Sequence, residues 1–177
     1  MPLPDPERRD GGIDRAAPGL DSPHPEGGHT GAMSDLSMTV DEREAFLAGL
    51  HVGVLAVERA DGPPLAVPVW YAYEPGGAVD VLTSASTVKA RLAQAAGRAS
   101  LCAQREELPY AYVTVEGPLE LEPLGDRTRP EIEAMASRYL GEKMGRAYAA
   151  GELSPDEVRI RIRPERWLSV DYGKRRP

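Results

Sequence analysis

Cysteine, histidine and long apolar runs are scarce in this 177-residue chain. A single cysteine, Cys102, leaves no internal disulfide and no cysteine-rich zinc site. It lies in the apolar run 99–103, where a free cysteine reads as a small buried hydrophobe. Of three histidines, His24 and His29 stand at a spacing that fits no zinc pattern without further ligands, so no metal site is expected. No stretch approaches the roughly 18 apolar residues of a membrane span. The N-terminus lacks the charged-then-apolar order of a signal peptide, and a cytoplasmic location is expected. Surplus positive charge is missing too: 21 Lys and Arg face 28 Asp and Glu, a net charge of -7. Nucleic acid binding needs a basic face to neutralise phosphates, so no nucleic-acid partner is expected.

Large apolar side chains are also scarce in residues 1–38, which hold six prolines, six glycines, seven acidic and three basic residues. Such a segment cannot bury enough surface to offset its ordering entropy, and it reads as a disordered N-terminal tail. Met33 and Met38 are candidate alternative starts. Residues 39–177 form the expected single domain. With 41% hydrophobic and 28% charged residues overall, the chain can build one core.

Within that domain, Thr39 and Glu42 have the spacing of a capping box, with Phe46, Leu47 and Leu50 on one face of the helix that follows. Alternation over 52–57 gives a strand, and Asp61-Gly62-Pro63-Pro64 a turn. Residues 65–73 read as a second strand, with Pro68 marking an edge or a bulge. Residues 78–83 form a third strand, and 87–96 a helix with Val88, Leu92 and Ala95 or Ala96 inward. Strands follow over 100–104 and 110–121, the latter bent at Gly117-Pro118. Helices are expected over 128–140 and 142–150, and a last strand over 158–162, where Val158, Ile160 and Ile162 alternate with arginines. Six strands with helices between them indicate an α+β, mainly β, barrel.

Two segments carry candidate chemistry. In Thr83-Ser84-Ala85-Ser86-Thr87-Val88-Lys89-Ala90-Arg91 the hydroxyls meet a helix start, with Lys89 and Arg91 in its first turns. Free amides and partial positive charge there suit a phosphate, and Lys89 adds a point charge. Plain N-capping by Ser86 or Thr87, with both cations solvated, explains the same residues. In Val67-Pro68-Val69-Trp70-Tyr71, an aromatic pair beside a proline reads either as the wall of a flat-ring pocket or as ordinary core.

Taken in order, these segments resemble the pyridoxamine 5'-phosphate oxidase-like, FMN-binding split β-barrel family. Further matches are Leu108-Pro109-Tyr110-Ala111-Tyr112-Val113, Ser137-Arg138-Tyr139-Leu140-Gly141 and the closing stretch from Arg163 to Tyr172. The nearest resemblance is to the actinobacterial branch, whose members use FMN or the deazaflavin coenzyme F-420. The resemblance implies a six-stranded antiparallel split β-barrel with short peripheral helices, homodimeric, with cofactor at the subunit interface. It implies that Val67, Pro68, Val69, Trp70 and Tyr71 line the ring. Thr83, Ser84, Ser86, Thr87 and Lys89 would hold the phosphate, with Arg91 assisting and Gln104 and Trp167 in contact, from the same or the partner chain. For the anionic tail of deazaflavin, Arg98, Arg105, Lys143, Arg146 and 174–176 are the available cations; a solvated basic surface is the more frequent explanation of such residues.

The function implied is an oxidoreductase moving hydride to or from a small organic substrate. The arginine and histidine set of the true pyridoxamine phosphate oxidases is not found, so that particular reaction is not expected. No catalytic residue is assigned: Tyr71, Tyr110 and Tyr112 could donate a proton, but tyrosine also serves as a core anchor. The alternative is a non-catalytic cofactor- or haem-binding barrel, with His51 as axial ligand or as a structural residue.

Overall fold

The computed structural model describes residues 36–175. The tail expected over 1–38 lies outside the described residues up to position 35, together with His24, His29 and Met33. Leu36 and Met38 are described: the Leu36 carbonyl accepts the Asp171 amide at 2.8 Å, and Met38 joins the core.

Chain order follows from local signals. Thr39 Oγ1 accepts from the Glu42 amide and Glu42 accepts from the Thr39 amide, which starts α1 (Val40–Ala48). Leu47 is its fully buried residue, whereas Leu50 lies beyond the helix end and is exposed. Then come β1 (Gly53–Val57), β2 (Leu65–Val69), β3 (Ala72–Tyr73), β4 (Val79–Ser84) and α2 (Val88–Ala96). The remainder is β5 (Arg98–Arg105), β6 (Ala111–Pro123), α3 (Thr128–Leu140), α4 (Glu142–Ala149), β7 (Glu157–Ile162) and β8 (Arg166–Asp171). Every strand pair is antiparallel, in the order β2-β1-β5-β6-β7-β4-β3 with β8 also on β6.

The described residues form eight strands where the sequence reading has six. The run 65–73 divides at Trp70-Tyr71, because the Tyr71 amide donates to the Tyr139 hydroxyl at 2.9 Å instead of to a strand. The strand over 157–162 is not the last: Arg166–Asp171 returns along the first half of β6. Pro68 does sit in an edge strand, β2, where a missing donor costs little.

β6 is the spine. Residues 111–118 pair with β5, and 111–116 with β8 on the other side; 119–123 pair with β7. The strand changes partners at Gly117, where a Cβ would lie 1.7 Å from the Arg163 carbonyl oxygen. Only glycine permits that approach. Inward residues from both halves, among them Leu55, Leu101, Val115, Val81 and Ile160, close on one core with Tyr71 at its centre.

Two inward assignments need correction. α2 turns Ala90 and Ala93 fully inward and packs Leu92 and Ala96 against the core as expected, while Val88 is 51% exposed and Ala95 faces out. Cys102 is only partly buried, on the outer face of β5 opposite Leu101.

Candidate functional site

β4 ends and α2 begins at the hydroxyl cluster. Thr87 is the N-cap: its Oγ1 accepts from the Ala90 amide at 3.3 Å and donates to the Ser84 carbonyl at 2.8 Å. Thr83, nearly buried, shares a hydrogen bond with Thr87 at 3.2 Å. Ser84 Oγ donates to Asp156 Oδ1 at 2.7 Å, and the Ser86 amide donates to Asp156 Oδ2 at 3.0 Å. A carboxylate from the start of β7 therefore already takes part of the anion-binding capacity at this helix start. Hydrogen bonds from Ser154 and Ser84 hold the Asp156 carboxyl below the usual carboxylate range.

Lys89 is different. Among the described residues it enters no ion pair, and it faces two adjoining hollows. The outer one, about 420 Å³, runs over Val52, Pro68, Val69 and Trp70 to Leu82, Lys89 and Tyr148. The inner one, about 530 Å³, lies between β4 and the α3–α4 hairpin and is lined by Trp70, Thr83, Ser84, Thr87, Lys89, Ile132, Met135 and Glu157 among others. Trp70, Leu82, Lys89 and Tyr148 line both, so the two form one cleft with a waist.

The orientation of Trp70 is fixed from α3. Its ring stacks on Tyr139 at 5.0 Å and 7° between planes, and Tyr148 meets it at a tilt. The Tyr139 hydroxyl accepts from the Tyr71 amide and can donate to the His51 carbonyl at 2.8 Å or the Tyr71 carbonyl at 3.0 Å. Beside it, Arg138 donates to the Ala48 and Gly49 carbonyls at 2.7 and 2.6 Å, closing the end of α1. The motif around Arg138-Tyr139 thus carries the aromatic wall.

The structure brings Pro68, Val69, Trp70, Thr83, Ser84, Thr87 and Lys89 to this cleft. Val67 and Tyr71 turn to the core instead, and the Tyr71 hydroxyl donates to the Leu47 carbonyl at 2.8 Å. Burial pushes the Tyr71 phenol far above its ordinary value, and its hydroxyl faces the core and not the cleft. Ser86 and Arg91 are exposed beside the cleft without lining it. Gln104 borders another depression with Arg105 and Tyr110, and Trp167 lies under Arg43 at 4.6 Å and against Tyr73. Within one chain neither reaches the cleft.

Several expected cations are committed: Arg98 to Glu165 at 2.8 Å, Arg105 to Asp171 at 3.5 Å, Arg146 to Glu142 at 3.5 Å and Lys174 to Glu42 at 2.5 Å. His51 stacks on Phe46 at 4.4 Å; burial lowers its basicity, while backbone groups of Phe46 and Gln104 oppose that shift. The imidazole is packed as a structural side chain. Among the described residues no cluster of three or more His, Cys, Asp or Glu could hold a metal, and no helix is long and apolar enough to cross a membrane.

Sequence reasoning missed Asp156, Glu157, Tyr139 as the support of Trp70, and Tyr148. Charged residues alternating with Val158 and Ile160 were the available signal for Glu157. Nothing local marked Asp156, which meets Ser84 across 72 positions.

Together, the spine strand shared by two half-sheets and a cleft beside the edge strand define a small antiparallel barrel of the split type. The sequence profile described as pyridoxamine 5'-phosphate oxidase matches residues 39–171, and the chain belongs to that family. Solved structures agree on the fold. A conserved hypothetical protein, Rv2991 from Mycobacterium tuberculosis, superposes with TM-score 0.65 at 23% identity, over 80% of this chain and 89% of that one. An F-420 reductase gives TM-score 0.56 at 24% identity, over 71% and 94%. A FAD-binding protein from Mesorhizobium loti gives 0.57 at 24% identity, over 75% and 94%. No curated protein sequence matches the chain significantly.

Proposed function

We propose that the chain binds a flavin (FMN) or the deazaflavin coenzyme F-420 in the Trp70–Lys89 cleft and acts as an oxidoreductase on a small organic substrate. The observation that carries this is an indole held flat by Tyr139 next to a lysine, in the first turn of a helix, that enters no salt bridge among the described residues. A tricyclic ring matches the apolar wall of Pro68, Val69 and Trp70, and a ribityl phosphate matches the Lys89 ammonium. With Asp156 occupying Ser84 and the Ser86 amide, Lys89 and its immediate surroundings carry the phosphate contact. The bound coenzyme supplies hydride transfer; the protein orients the ring and keeps water from its face. The names of the F-420 reductase and the FAD-binding protein support this class of ligand.

A second copy completes the site in this reading. On the outer face of the first half-sheet, register aligns Pro68, Val54, Cys102, Thr114 and Leu168 in one row across five strands. Val54 is 39% and Leu168 52% exposed, and the row ends at Pro68, which with Val52 lines the outer hollow. Burying such a face against its own copy supports a homodimer, and Gln104, two residues beyond Cys102 along β5, would then reach the partner's cleft. The stacked His51 favours the redox reading over a haem carrier.

The test is the visible spectrum of the purified protein, followed by titration with FMN and with coenzyme F-420 under fluorescence. Saturable binding of one of them is expected. Haem bands, or no binding of either, would overturn the reading.

A further inference from the structure

Beyond Lys89, the inner cavity carries more acid than base. Glu152 and Glu157 both line it against a single Lys89, and Asp156 adds a third carboxylate beside Ser84. Its floor and roof are apolar: Leu82 from β4 faces Ile132 and Met135 from α3, and Trp70 with Tyr148 forms the waist towards the outer hollow.

Glu157 stands apart from its neighbours. It pairs with Ser84 in register, on the outer face of β7 that also carries Arg159 and Arg161. Along that face Asp80 and Glu122 are held by those arginines, at 2.9 Å from Arg161 to Asp80 and 3.1 Å from Arg161 to Glu122. Glu131 pairs with Arg159 and Arg127. Glu157 enters no salt bridge among the described residues; half-buried in a cavity of mixed polarity, it has only the electrostatic pull of Lys89 and a hydrogen bond from the Ser154 backbone to balance its charge. A carboxylate so placed gains most from a cationic hydrogen-bond donor brought in by a ligand. Burial, with Asp156 nearby, raises its pKa against the opposing pull of Lys89 and the Ser154 backbone, a net cost that such a donor would relieve.

Building on the coenzyme reading above, we propose that this inner cavity is a substrate chamber for a compact apolar molecule bearing an amine, with Glu157 receiving the ammonium. The waist at Trp70 sets the apolar body of that molecule against the ring site.

Cyclohexylmethylamine, cyclohexylmethanol and cyclohexanecarboxylate serve as probes, since they differ in head group on one apolar body. The chain has two tryptophans, and only Trp70 lines the cavity, so the two indole N–H resonances separate binding here from binding elsewhere. Without coenzyme, the amine is expected to shift the Trp70 resonance and leave Trp167 in place, binding about tenfold more tightly than the alcohol and still more tightly than the carboxylate. Glu157→Gln, which keeps the shape of the side chain, is expected to bring amine and alcohol within about twofold. With saturating FMN or F-420, whichever binds, the dissociation constant of the amine by calorimetry is expected to stay within about threefold. Equal affinity for all three head groups on the unaltered protein would overturn the proposal, as would amine binding abolished by the coenzyme. Failure of both coenzymes to bind would sink the coenzyme reading and leave the amine result standing by itself.

Discussion

A single hydroxyl, on Tyr139, stands where a neighbouring strand would otherwise bond Tyr71, and its ring supports Trp70. Tyr139→Phe keeps the ring and removes the hydroxyl, leaving the Tyr71 amide and a carbonyl without a partner. Stability is expected to fall by about 1–3 kcal/mol in urea denaturation, the range for orphaning a buried polar group. An unchanged midpoint would mean that another group bonds Tyr71. Lys89 makes the complementary case, because its role lies in charge rather than shape. Lys89→Ala is expected to weaken coenzyme binding at least several-fold by loss of a charge-assisted contact, with thermal stability unaltered. Equal dissociation constants would remove Lys89 from the site.

At the scale of elements, the α3–α4 hairpin decides the shape of the cleft. The helices meet so closely that a Cβ on Gly145 would lie 2.5 Å from the Ser137 backbone nitrogen. Gly145→Ala must push α4 outward, at an expected cost of about 1–3 kcal/mol in thermal unfolding, typical of overpacking. Neutral behaviour would show that the hairpin gives way freely. Most elements were legible because they rest on short-range signals: the Thr39 and Glu42 cap, the alternation of Val158, Ile160 and Ile162, the helical spacing of Ile132, Met135 and Ala136. What stayed hidden depends on distant partners. Trp70-Tyr71 reads as strand until Tyr139, 68 positions away, takes the amide. Arg166–Asp171 begins just after Pro164 and alternates weakly, so only its pairing with β6 reveals a strand. Likewise the hydroxyl cluster and Lys89 were visible, whereas the carboxylate answering Ser84 was not.

For the whole molecule, two properties follow. If the row from Pro68 to Leu168 is covered by a second copy, Leu168→Glu places a charge in that interface, and light scattering is expected to report a monomer where the unaltered protein is a dimer. A monomer in both cases would reject the interface. Acid should also destabilise the fold. His51 is held below its ordinary value of 6.5, chiefly by burial, so the unfolded chain takes up the proton first. Its contribution is intact above 6.5 and is lost as pH falls through that value towards the folded one. Asp156, held below 3.8 by Ser154 and Ser84, acts in the same direction, present above 3.8 and lost as pH falls through its folded value. Urea midpoints are expected to decline between about pH 7.5 and pH 5, and a rise over that window would contradict the assignment of His51. The most direct measurement of the central claim is a crystal structure of the protein with FMN or F-420 bound. The ring is expected against Pro68, Val69 and Trp70, with its phosphate in hydrogen-bond reach of Lys89 Nζ. A coenzyme lodged away from that cleft, or absent from crystals grown in its presence, would contradict the account.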